Sequence, residues 1–248
     1  MFDFDDAQLS QRHTQGNSPG DDTGAGYVIE AITSRRSVRG FTSEPVPREM
    51  VEHLLSVASR APSGTNMQPW RAYVTTGQTK QRLTDEILAS VASGEEQPPR
   101  TWKYYPDEFP PTYKARRRKI GWDLYGLAGI ERGEKEKMAA FRNRNYMFFD
   151  APVGIIFTID ERLEVGSWMD YGCFLQNLMV AARGHGLSTC PQAAFAEVHG
   201  PIRRILPIPD GEIVVCGMAI GYIDDTVDVN ALETERSPVS EFATFVEA

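Results

Sequence analysis

The run Ala-Pro-Val-Gly-Ile-Ile-Phe-Thr-Ile, residues 151–159, constrains the fold of this chain more than any other segment. Its β-branched and aromatic residues favour extended backbone, and its lack of polar alternation requires cover on both faces. It predicts a central strand. A strand buried on both faces needs helices above and below it. Residues 166–184 supply one, because Trp168, Tyr171, Phe174, Leu175, Leu178, Met179 and Ala182 describe a largely buried helix.

The other elements follow from spacing and punctuation. A short helix is predicted from Gly26 through Ile32. Pro47 opens a second, carried by Met50, Val51, Leu54, Leu55 and Ala58. The stretch 62–69 is a loop between prolines, 70–76 a strand and 79–91 a helix. Residues 93–111 hold five prolines and the aromatics Trp102, Tyr104, Tyr105 and Phe109, an irregular excursion. Helices are predicted over 112–128, 134–149 and 198–206, a short strand or turn over 186–191, and a strand over 212–220. Residues 1–25, rich in Asp, Gln, Ser and Gly, read as a mobile tail. Residues 26–248 read as one domain, a sheet covered by helices, with a helical and aromatic excursion at 93–148.

Composition removes several function classes. The chain has 248 residues, 41% hydrophobic and 24% charged, which suffices for a sizeable core. A formal net charge of −8 argues against general nucleic-acid binding. The basic run 116–119 points around a helix rather than along one face. Cys173, Cys190 and Cys216 lack metal or disulfide spacing, as do the scattered histidines, so no metal is expected and reduced thiols suggest the cytoplasm. His185 and Cys190 lie close in sequence with no orienting third group, a weak basis for a nucleophile pair. No apolar stretch is long enough to span a bilayer, and no secretory signal is evident. GxGxxG, GxxxxGK[ST] and GxSxG are all missing.

Against the acidic background, Arg35-Arg36-Ser37-Val38-Arg39 stands out. A helix would place Arg35 and Arg39 on one face; an extended segment would align Arg35, Ser37 and Arg39. Either arrangement aims two guanidinium forks at one point, which suits a phosphate. A solvated helix end accounts for the same residues. The loop Pro62-Ser63-Gly64-Thr65-Asn66-Met67-Gln68-Pro69 also has two readings: turn chemistry that stops a helix, or a rim of donors and acceptors around a polar heterocycle.

Together these segments resemble the nitroreductase family of FMN enzymes. The arginine cluster followed by Gly40-Phe41, and Ala61 through Trp70, carry the likeness. Asp150-Ala151-Pro152, the stretch 186–192 and Arg236-Ser237-Pro238 agree in order. The excursion is similar to that of the nitrobenzoate-reductase-like branch. The resemblance implies an α+β fold, a central, mostly antiparallel sheet flanked by helices, and an intertwined homodimer with FMN at each of two subunit-interface sites. By matching position, Arg35 and Arg39 would hold the FMN phosphate and ribityl end, with Arg36 and Ser37 beside them and Arg236 joining the phosphate. Pro62, Ser63, Gly64 and Asn66 would approach the flavin from the partner subunit, with Gln68 nearby. Pro191, Gln192 and Ala193 would lie against the ring, a backbone N–H facing N5. Glu233 stands where many relatives carry a second arginine. Arg142 and Asn145 are candidates for the flavin pyrimidine edge.

The resemblance implies an enzyme in which NAD(P)H reduces tightly bound FMN and departs, after which a small nitroaromatic takes up two electrons and passes to nitroso and hydroxylamine products. Flavin N5 would carry the chemistry, so no catalytic side chain is assigned. The excursion would cover the site, with its aromatics selecting flat substrates. The same scaffold supports enoate reduction, reductive dehalogenation and flavin fragmentation. A flavin-binding module without turnover is a reading from another class.

Overall fold

A computed structural model of the protein describes residues 24–97 and 102–246. The chain opens with helices α1 (Gly24–Ser34) and α2 (Arg48–Ala58), then strand β1 (Arg71–Thr76) and helix α3 (Gly77–Ser93). The excursion carries α4 (Pro111–Leu127) and α5 (Lys135–Asn143). Then come β2 (Val153–Asp160), α6 (Val165–Gly184), β3 (Ser188–Gln192), α7 (His199–Ile205) and β4 (Glu212–Gly221). The strands pair in the order β1-β2-β4-β3, each pair antiparallel.

β2 is the central strand that its apolar run predicts. Ile156 lies between Tyr73 of β1 and Gly217 of β4. The two-residue period then divides its side chains. Val153, Ile155, Phe157 and Ile159 pack in one buried layer with Leu54 of α2 and Tyr171, Phe174 and Leu178 of α6. Ile156 belongs to the opposite layer, with Leu83 and Ile87 of α3, Phe195 and Ile202. Each fully buried aliphatic or aromatic side chain contributes roughly 1.5–3 kcal/mol.

Two boundaries depart from expectation. The helix predicted over 134–149 stops at Asn143 and passes into a 3-10 turn. Phe148, Phe149 and Asp150 take positive φ angles of 54°, 52° and 71°. This left-handed turn lets both adjacent phenylalanines be buried, and Phe148 stacks on Phe195 at 4.5 Å. Gly154 leaves room for that ring, since a Cβ there would lie 2.6 Å from it. Tertiary packing thus overrides the helical period. The second departure is α1, which opens at Gly24, inside the stretch expected to be a tail; small residues conceal its start. The rest of that expected tail, residues 1–23, lies outside the described residues. Among the described residues no helix is long and apolar enough to cross a membrane, and no metal-binding cluster occurs.

Candidate active site

β3 forms the floor of two cavities, one charged and one aromatic. The charged cavity has a volume of about 950 Å³. Arg35, Arg36, Arg183 and Arg236 line it against Asp225 and Glu233. Its geometry begins where α1 ends at Ser34. The chain then leaves the helix and runs beside β3, with Val38 N–H donating to Thr189 O at 3.0 Å. The arginine cluster is therefore extended beyond the helix end, not helical. Burial and the nearby Arg236 guanidinium lower the pKa of Arg35. Both influences disfavour charge, and a bound anion relieves the like-charge crowding.

Not every expected cation faces this cavity. Arg39 turns back, its guanidinium donating to Ser37 O at 3.1 Å, and neither Ser37 nor Arg39 lines the wall. Arg183 enters instead from the last turn of α6, its Nε donating to Ser34 Oγ at 2.8 Å. Its position at a helix C-terminus made it an ordinary partner for the helix dipole in sequence terms. Only proximity in the fold reveals its place among the other arginines.

The aromatic cavity, about 520 Å³, lies toward the other end of β3. Pro191, Gln192 and Ala193 line it, with Trp102 and Tyr104 from the excursion and Trp168 and Leu175 from α6. Trp102 packs on Trp168 with ring centroids 4.7 Å apart. Burial raises the pKa of Tyr104, keeping its hydroxyl neutral. Burial likewise pushes the Cys190 thiol up to about 11 and that of Cys216 to about 12, so neither is a ready nucleophile.

Two buried side-chain atoms have no hydrogen-bond partner among the described residues: Thr189 Oγ1 and Gln192 Oε1. Both belong to β3, one at each cavity. Buried polar atoms are normally paired, so two orphans on one strand mark a surface built for a polar ligand. From Ser188 to Gln192 the strand spans about 13 Å, at roughly 3.3 Å per residue. The donor set suits an elongated molecule with an anionic end, a polar middle and a flat ring. Gln192 Nε2 donates to Asn145 O at 2.7 Å, which brings Asn145 beside this floor. Arg142 takes part only through its carbonyl, which accepts from Asn145 Nδ2 at 2.9 Å.

Pro62, Ser63, Gly64, Asn66 and Gln68 line neither cavity. Gly64 N–H donates to Asp170 Oδ2 at 2.9 Å, which ties their loop to the N-terminal half of α6. Gln68 N–H donates to Ser63 Oγ at 3.0 Å, and its side chain to Asn66 O at 3.2 Å. Thr65, Asn66 and Gln68 hold φ angles of 50°, 60° and 51°, strain of the kind retained at working loops. Asp170 and Arg183 are separated by about 20 Å of helix, at roughly 1.5 Å per residue. Within one chain, the loop stands apart from Arg183, while Gln176 of the same cavity wall is about 9 Å of helix from Asp170.

The sequence and the fold are similar to those of known proteins. The model of the family described as "Nitroreductase family" matches residues 32–222. A chloronitrobenzene nitroreductase of Comamonas testosteroni is 40% identical over 220 residues, covering 89% of this chain and 97% of that protein. A 4-nitrobenzoate reductase of Pseudomonas putida is 40% identical over 215 residues, covering 87% and 93%. The crystal structure of the FMN and NADPH-dependent nitroreductase NfnB from Sphigopyxis sp. strain HMH superposes with a TM-score of 0.85 at 34% identity, covering 89% of this chain and 99% of that one. The matched span runs from the helix that leads into the arginine cluster to the end of the sheet, and with it this chain belongs to the nitroreductase family.

Proposed function

We propose that this protein is an FMN-dependent oxidoreductase that takes electrons from NAD(P)H and reduces nitroaromatic compounds, acting as a homodimer. The two-ended floor of β3 carries the reading. Arg35, Arg36, Arg183 and Arg236 hold the phosphate, Thr189 and Gln192 meet polar atoms along the cofactor, and Pro191, Gln192 and Ala193 support the ring. Glu233, in place of a second tail arginine, leaves Arg183 to supply that charge. When bound, FMN supplies hydride transfer between the nicotinamide donor and the nitro group. The chain binds the cofactor, orients it and excludes water, with Trp102, Tyr104 and Trp168 walling the space above Pro191–Ala193.

What one chain leaves open supports a second subunit. The strained 62–68 loop is tied at Asp170, about 20 Å of helix from its own Arg183, and a partner copy can bring it to the flavin. Exposed apolar residues support that association: Val28, Ile29 and Ile32 on α1, Met169 on α6, and Phe242 and Phe245 in the tail. Ser37 and Arg39 become supports of the arginine segment rather than phosphate ligands. A cytoplasmic setting fits the three free cysteines.

The test is anaerobic. NADPH is expected to bleach the protein-bound flavin, and a chloronitrobenzene to restore its absorbance, two electrons per turn. A reduced flavin that ignores nitroarenes but is reoxidised by an enoate would move the assignment to the rival reaction.

A further inference from the structure

Two cations of the phosphate cavity, Arg35 and Arg236, come from segments about two hundred residues apart and repel each other. The hydrogen bonds of Arg236 are local, to Thr234 O, Thr234 Oγ1 and Glu235 O. Attraction between the two side chains cannot set their separation, so bonds elsewhere in the two segments must. One side chain provides two that join them and a third within the tail. Asn230 is 4% exposed. Its Oδ1 accepts from Arg39 N–H at 2.7 Å, and its Nδ2 donates to Gly40 O at 2.8 Å and to Asp224 O at 2.9 Å. The same segments also meet through Asp224 N–H, which donates to Gly40 O at 3.1 Å. They pack so closely that a Cβ on Gly40 would fall 2.7 Å from Val227. On its other side the arginine segment is bonded to β3 through Val38 and Thr189.

We propose that Asn230 is a positioning residue for the phosphate end of the site: its buried amide fixes the arginine segment 35–40 against the tail that carries Arg236. The proposal rests on the FMN reading. Asn230 touches neither cavity. It acts through backbone, four residues after Arg35 on one side and six before Arg236 on the other. The amide is required in both senses, since one oxygen accepts and one nitrogen donates twice. An alanine forms none of the three bonds and adds no charge that could itself repel a phosphate.

The test compares two flavins that differ only by the phosphate. Affinities of FMN and riboflavin for the apoprotein are measured by fluorescence titration in wild type and Asn230→Ala. The preference for FMN over riboflavin is expected to fall about tenfold, the scale of one charge-assisted hydrogen bond, with riboflavin affinity unchanged. A merely structural role would weaken both flavins by the same factor, and that result, or an unchanged preference, overturns the proposal. If Asn230→Ala does not fold, Gly40→Ala serves: it pushes the same segments apart with the amide intact and is expected to lower the same ratio. A wild-type protein that binds no FMN would instead defeat the cofactor reading itself.

Discussion

The arginine end and the aromatic end of β3 are built on opposite physical plans. At the arginine end, like charges are crowded together and held there by backbone bonds and a buried amide. At the aromatic end, large rings meet through dispersion and geometry, and two of them come from an excursion of irregular backbone. The first plan suits a ligand that stays, because charged hydrogen bonds are strong and directional. The second suits a ligand that exchanges, because stacking contacts are individually modest. On the proposed function, the difference separates two tasks, anchoring the cofactor and choosing the substrate, along one strand.

The largest expected effect comes from undermining both ends together. Phe195 lies in the turn after β3, stacked on Phe148 and fully buried. Phe195→Ala is expected to cost about 3–5 kcal/mol in denaturant unfolding and to degrade FMN affinity and substrate KM alike. Loss at one end alone would show that the two do not share a floor. Arg35→Ala should act on the anchoring end only, weakening FMN by about 1.5–3 kcal/mol in calorimetric titration. At saturating FMN its nitroarene KM should match wild type. Trp102→Ala is the converse: a KM for nitroarenes raised by roughly two- to twelvefold, from about 0.5–1.5 kcal/mol of lost aromatic contact, with FMN affinity unmoved. A change in FMN affinity would break the division of labour.

The smallest effect lies outside both ends. Hydrogen bonds from Arg204, then one from the Ser90 hydroxyl, lower the Glu95 carboxyl to about 2. A depressed carboxylate stabilises the folded state above its unfolded value, near 4.5, and loses that contribution as pH falls toward 2. Arg204→Ala should therefore flatten acid unfolding in that window and leave both binding constants alone. The pair is solvent-exposed, so the change is small.

Legibility in the sequence followed the same division. β2 was readable because nine residues of apolar, β-branched chain have few other solutions, and α6 because its apolar period is long. The arginine cluster was conspicuous against an acidic chain. Arg183 and Asn230 were not, since a helix-terminal arginine and a turn asparagine each have an ordinary local explanation. Their roles depend on segments brought close only by folding. The turn at 148–150 failed for a related reason: its left-handed backbone answers to Phe195 and Gly154, which no local pattern encodes. Among the excursion aromatics, periodicity did not separate Trp102 and Tyr104 from their neighbours, and the fold did.

The most direct measurement of the central claim is a crystal structure of the FMN-loaded protein. The cofactor is expected to lie along β3, its phosphate among Arg35, Arg36, Arg183 and Arg236 and its ring against Pro191, Gln192 and Ala193, with the 62–68 loop of a second copy beside it. A phosphate bound away from those arginines, or a ring outside the aromatic cavity, would contradict it.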